Sequence, residues 1–181
     1  MKNLTVSILI VLLLFGFLAG FFACLKKLYP LKYEEEIMKI SSEFSLDSEL
    51  VASLINIESG FNKFAVSSAG AKGLMQLKDE TALEVSNKLN LEYNPEDVFN
   101  ENINIKIGCF YLKYLIDYYN GNINFALSAY NAGMGRVDLW LEENFYNEEE
   151  FIKSIPFAET RNYLSKVKNG SKIYNLLYGL T

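Results

Sequence analysis

One acidic side chain stands at the end of an apolar helical stripe. Val51, Leu54 and Ile55 lie seven, four and three residues before Glu58, spacings that place all four on one helix face. A carboxylate on such a face leaves water, and desolvation favours its protonated form. A carboxylic acid kept protonated near neutral pH is the proton donor that cleavage of a glycosidic bond needs. The same pattern also fits a helix C terminus whose glutamate reaches solvent, and spacing alone does not choose between the two. A loop of small residues follows, Ser67-Ser68-Ala69-Gly70-Ala71 with Gly73, and then Gln76 set among Leu74, Met75 and Leu77. Gly70, Ala71 and Gly73 have little or no bulk, so a polymer strand could approach the backbone there. A phosphate cradle is excluded, because Gly70-Ala71-Lys72-Gly73-Leu74 lacks the Gly-Lys-Ser/Thr ending of a P-loop.

Two further segments accompany this one: Ala129-Tyr130-Asn131-Ala132-Gly133, and Ile155-Pro156-Phe157-Ala158-Glu159-Thr160-Arg161-Asn162-Tyr163. In this order the three resemble the signatures of the soluble lytic transglycosylase family, enzymes related to goose-type lysozyme that cut peptidoglycan glycan strands. The resemblance runs roughly from Tyr33 to the C terminus. It implies a mostly α, lysozyme-like fold and no cofactor. It also implies that Glu58 is the single catalytic acid. The glutamate first protonates the oxygen leaving between MurNAc and GlcNAc, while the substrate's N-acetyl group stabilises C1. As a carboxylate it then takes the proton of the MurNAc C6 hydroxyl, which attacks C1 and closes a 1,6-anhydro ring. Water is not consumed, and the intramolecular attack gains from proximity.

The resemblance carries substrate-binding roles to other positions. Ser67, or Ser68 if the loop shifts by one, is expected near the substrate's N-acetyl group or the catalytic carboxylate. Met75 and Gln76 are expected to line the cleft. Tyr130 is expected to bring its hydroxyl near Glu58, with Asn131 beside it. Glu159 is expected to support the site, and Tyr163 to be a cleft aromatic. Plainer readings stand beside these: core packing for Met75 and Tyr130, and a helix-start acid for Glu159. Asp79 and Glu80 read as helix-start acids rather than as a second catalytic pair. Lys63 departs from the family pattern, where Pro is common, which alters loop stiffness more than chemistry. Two other functions remain open: a lysozyme-type hydrolase with a second carboxylate, and a non-catalytic peptidoglycan-binding protein.

The elements that must position these residues read as helices. The pattern predicts helices over 34–44, from Asp47 or Ser48 to near Gly60, over 79–89, and a short one after Pro95. It predicts the longest soluble helix over 101–119, with Ile103, Ile107, Phe110, Tyr111, Tyr114, Leu115 and Tyr118 on its apolar face. Further helices are expected over 122–131, around Val137 to Leu141, and over 160–178. The acidic run Asn147 to Glu150 reads as solvated surface or a helix start. No segment shows strand alternation.

Residues Leu4 to Leu25 carry no charge and are dominated by Leu, Ile, Val and Phe. That length can cross a bilayer as one helix. The expected organisation is a flank at 1–3, a membrane anchor (or signal sequence) at 4–25, a linker at 26–32 and the lysozyme-like domain at 33–181. An uncleaved anchor is the reading adopted, because Phe21-Phe22-Ala23 is a poor cleavage site. Lys26, Lys27 and Lys32 follow the run, against Lys2 before it, and the positive-inside rule would turn that flank to the cytoplasm. A wall-cutting domain must stand outside, so the expected location is a bacterial membrane, single-pass, with the domain facing the wall.

Of 17 basic residues, those four flank the apolar run, which leaves 13 against 22 acidic ones and a net charge of −9 for residues 33–181. Nucleic acid is excluded as a partner, since no basic footprint exists. The chain has no His, which removes His-based triads and His metal sites together. Cys24 and Cys109 fall on separate elements and imply no disulfide.

Overall fold

The computed structural model describes residues 2–143 and 148–180. Helix α1 (Lys2–Leu28) contains the apolar stretch Ile10–Leu28, of mean hydropathy 2.0 and with none of it buried. At 1.5 Å per residue α1 is roughly 40 Å long, enough for a bilayer core of about 30 Å. It extends beyond Leu25 to Leu28, so the connector to the rest of the chain is shorter than the 26–32 linker expected from charge alone.

Helix α2 (Glu34–Glu43) opens on three glutamates, whose charge complements the positive end of the helix dipole. Helix α3 (Ser48–Ser59) follows and ends at Gly60, which takes the left-handed conformation at φ 59. Asp47 occupies the N-cap position of α3 without a side-chain cap bond, and the Ser48 hydroxyl lies 2.8 Å from that of Ser41 instead. A long loop leads to α4 (Asp79–Lys88) and a 3-10 helix (Pro95–Phe99). Helix α5 (Glu101–Tyr118) is capped by the Asn100 side chain, and α6 (Ile123–Ala132) by that of Asn122. Then come α7 (Met134–Glu143), α8 (Glu148–Ser154) and α9 (Ala158–Tyr178). Asn147, where the acidic run was expected to begin, lies outside the described residues. Among the described residues there is no strand, only isolated bridges pairing Val66 with Lys72 and Lys72 with Leu77.

Two expectations about helices are corrected. The longest helix after α1 is α9, with 21 residues, not α5 with 18. The buried side of α5 is Ile105, Ile107, Gly108, Cys109, Leu112 and Leu115, whereas Tyr114 and Tyr118 are 38% and 49% exposed. The sequence pattern merged two faces. Tyrosine counts as apolar in such a pattern, yet its hydroxyl lets it stay at the surface.

Helices α3 and α9 pack against each other and run antiparallel, with Glu58 facing Tyr163 and Ser53 facing Val167. The Ser53 hydroxyl donates to the Val167 carbonyl at 2.8 Å. Gly170 allows this approach, since a Cβ there would meet the Ser53 side chain. Helix α5 packs on α2 and α6, and α6 packs on α7 and α9. The core joins these layers through side chains including Leu54, Ile55, Leu74, Met75, Ile105, Leu112, Leu127 and Val167.

Candidate active site

Glu58 sits in the last turn of α3, half-buried, one turn after the buried Leu54 and Ile55. Loss of solvent pushes its carboxyl up from 4.5 to about 7, and a hydrogen bond from Tyr163 pulls the other way. The Tyr163 hydroxyl donates to Glu58 Oε1 at 2.6 Å. Tyr163 is buried, and its own phenol is held well above the usual range, first by burial and then by the Glu58 charge. Among the described residues this is the hydrogen bond that fixes the carboxyl, and the antiparallel α3–α9 pairing is what brings residues 58 and 163 together.

The Tyr130 hydroxyl is bonded elsewhere than to Glu58: it donates to the Met75 carbonyl at 2.8 Å. It stands within electrostatic reach of Glu58, whose charge adds to burial in raising the Tyr130 phenol. The physical reason is satisfaction: a buried hydroxyl needs an acceptor, and the Met75 carbonyl supplies one. Met75 is corrected. Its side chain is fully buried against Gly108, where a Cβ would come within 2.7 Å of Met75 Cε. It packs the core and presents no surface to a ligand.

The loop from Asn62 to Leu77 closes on itself. The Ser67 hydroxyl accepts from the Ala71 N–H at 3.0 Å, while Gly70 turns the chain at φ 78. Ser68 is exposed beside it. The Gln76 amide donates to the carbonyls of Ala65 at 3.2 Å and Gly73 at 3.0 Å, so its nitrogen staples the loop and its oxygen is the end left to meet a ligand. Gln76 holds φ 49, a left-handed backbone that costs a non-glycine residue about 1 kcal/mol or more. Asn131 accepts from the Thr160 hydroxyl at 2.8 Å and so ties the end of α6 to the first turn of α9. Glu159 is exposed in that first turn, four residues before Tyr163 and on the same helix side.

Sequence reasoning missed Asn104. This buried amide on α5 accepts from the Met75 N–H at 2.8 Å and donates to the carbonyls of Val98 at 2.8 Å and Lys72 at 3.3 Å. It clamps the loop that carries Met75 and Gln76 to the core. Gly73 makes the clamp possible: its φ is 78, and a Cβ there would lie 2.6 Å from the Val98 carbonyl and collide with the Asn104 amide. The available signal was a single Asn between Ile103 and Ile105 inside an apolar helix.

A desolvated carboxylic acid, steered by one phenol and edged by a stapled loop, can donate a proton to a leaving oxygen and take one back. Residues 35–152 match the family model described as the transglycosylase SLT domain. The chain is 31% identical over 159 residues to the soluble lytic murein transglycosylase of Escherichia coli K12, covering 86% of this chain and 25% of that protein. It is 31% identical over 166 residues to the membrane-bound lytic murein transglycosylase C of Edwardsiella ictaluri, covering 79% of this chain and 46% of that one. Among solved structures, it matches an inactive Glu-to-Gln mutant of a lytic transglycosylase from Pseudomonas aeruginosa with a TM-score of 0.79 at 32% identity, over 84% of this chain and 25% of that one. It matches the 70 kDa soluble lytic transglycosylase of Escherichia coli in complex with bulgecin A with a TM-score of 0.80 at 31% identity, over 86% of this chain and 26% of that one. The chain thus spans about a quarter of the length of the soluble relatives.

Proposed function

The chain belongs to the transglycosylase SLT domain family, and on that premise we propose that it is a peptidoglycan lytic transglycosylase that works through Glu58. The observation that carries the reading is the raised proton affinity of Glu58 beneath the Tyr163 hydroxyl. Burial favours the protonated form of Glu58, and in that form it protonates the glycosidic oxygen between MurNAc and GlcNAc. The resulting carboxylate then accepts the proton of the MurNAc C6 hydroxyl, which closes the 1,6-anhydro ring on C1. Tyr163 holds the carboxyl in place through both steps. The Gln76 carbonyl end, Ser68 and Asn131 are the polar groups offered to the sugar and its N-acetyl group, with Glu159 at the cleft's edge. Ser67 and Tyr130 serve by shaping the loop and the Met75 backbone.

Helix α1 is proposed as a single membrane span at 4–25 or slightly beyond, with residues 33–181 on the wall-facing side. Its exposed apolar surface supports this, as does the resemblance to a membrane-bound relative. With −9 on the domain, attachment to the membrane rather than charge attraction supplies local concentration near an anionic wall.

The test is mass spectrometry of fragments released from purified peptidoglycan by the full chain. Anhydro-ended products, lighter by one water than hydrolysis products, are expected. Reducing MurNAc ends would make it a lysozyme, and wall binding without release would make it a binder.

A further inference from the structure

Helix α5 carries a row of tyrosines that the catalytic reading does not use, with Tyr111 half-buried against the core and Tyr114 and Tyr118 exposed. Tyr111, Tyr114 and Tyr118 are spaced three and four residues apart, which aligns them along one side of the helix over about 10 Å. The row starts at the active site: the Tyr111 ring lies 5.5 Å from the ring of Tyr130, which neighbours Glu58. Tyr114 and Tyr118 follow, 6.3 Å apart and inclined by 33°.

We propose that these three rings form a track on which successive sugar rings of the glycan strand stack as it leaves the catalytic site. The proposal rests on the peptidoglycan reading above.

Three features support it. First, the outer ring is held in place. The Tyr118 hydroxyl donates to Asp138 Oδ2 at 3.3 Å, and its ring meets that of Tyr119 edge-on at 4.9 Å. Tyr119 in turn donates to Asp138 Oδ1 at 2.9 Å. A ring fixed this way loses little freedom when a ligand lands on it. Second, the surroundings are mixed in the manner of a sugar. A hollow of about 140 Å³ opens beside the row between α4, α5 and α7. Thr81, Glu84 and Lys88 line it from α4, and Met134 from α7. Sugar rings present C–H faces to aromatic rings and hydroxyls to groups such as these. Lys88 stands 4.8 Å over the Tyr114 ring and pairs with Glu84 at 2.8 Å, so a donor and an acceptor lie over one face of that ring. Third, the row adjoins the catalytic centre, since Tyr111 packs on Tyr130 and Tyr130 lies within electrostatic reach of Glu58.

The experiment uses the full chain in detergent carrying Glu58→Gln, so that ligand is bound without being cut. Calorimetry would compare a GlcNAc–MurNAc tetrasaccharide spanning the cleaved bond with an octasaccharide. Tyr114→Ala and Tyr118→Ala are expected to weaken octasaccharide binding about threefold to tenfold each, and so to lower the ratio of octasaccharide to tetrasaccharide affinity. Tyr114→Phe should restore most of that ratio, because stacking needs the ring and not the hydroxyl, and Tyr118→Phe should restore less of it, because the bond to Asp138 is lost. An unchanged ratio in both alanine variants would overturn the track while leaving the catalytic reading intact. Failure of the Glu58→Gln parent to bind either oligosaccharide would overturn the peptidoglycan reading and the track with it.

Discussion

Burial and the Tyr163 hydrogen bond act on Glu58 in opposite directions, and each can be removed by itself. Tyr163→Phe deletes the bond that favours the carboxylate, so the acid should titrate above its present value of about 7. The alkaline limb of the pH–rate profile should move to higher pH, and a limb that stayed put would mean that Tyr163 does not touch the working carboxyl. Glu58→Gln should lower cleavage by at least the 10²- to 10⁴-fold typical of a general acid or base. The same change has a stability signature. The folded state binds the Glu58 proton more tightly than the unfolded chain does, so stability falls as pH rises from 4.5 to about 7. A displacement of that size corresponds to roughly 3 kcal/mol. Denaturant titrations at pH 8 should therefore find Glu58→Gln more stable than the parent, by up to about that amount, with the difference vanishing near pH 4. Position 58 was legible as an acid in an apolar setting. Its partner was not, because residues 105 positions apart in sequence meet only when two helices pack.

The loop that edges the site is clamped to the core by the Asn104 amide, at a point where Gly73 has no side chain. Asn104→Leu would strand the Met75 N–H and the Val98 carbonyl in the interior, at about 1–3 kcal/mol for each orphaned group. Gly73→Ala should cost a comparable amount, because its Cβ meets the Val98 carbonyl at φ 78. Thermal unfolding checks both. Loss of activity at a temperature where each variant is still folded would show that the clamp also sets the position of Gln76. Helix boundaries and the Gly60 end were readable from caps and periodicity. The clamp was not, since an Asn in this helix, Asn102 or Asn104, reads equally well as surface until its neighbours are in place.

At the scale of the molecule, the segment between α1 and α2 is a fitted part of the domain. Tyr178 donates to the Tyr29 carbonyl and Tyr174 to the Pro30 carbonyl, each at 2.8 Å, and Asn56 donates to the Leu28 carbonyl at 3.3 Å. The Tyr29 ring meets Tyr174 edge-on at 5.8 Å. Asn56 and Glu58 lie two residues apart on α3 and so point to opposite sides of it, which keeps this junction clear of the carboxyl. The double variant Tyr174→Phe, Tyr178→Phe should lose about 1–3 kcal/mol in urea titrations of the full chain. It should also expose 29–33 to limited proteolysis. Resistance equal to that of the parent would mean that the junction is held by packing rather than by these two bonds.

Composition and periodicity by themselves determined the helical class, the apolar N-terminal helix, the exclusion of His chemistry and the placing of Glu58 on an apolar helix face. These depend on local preference and on patterns a few residues long. Tertiary packing alone decided that Tyr163 rather than Tyr130 holds Glu58, that Met75 is interior, and that Tyr114 and Tyr118 face outward. Each of these depends on which helix lies against which. A tyrosine ring is apolar enough for a core and polar enough for a surface, so its place is set by the neighbour that supplies or withholds an acceptor.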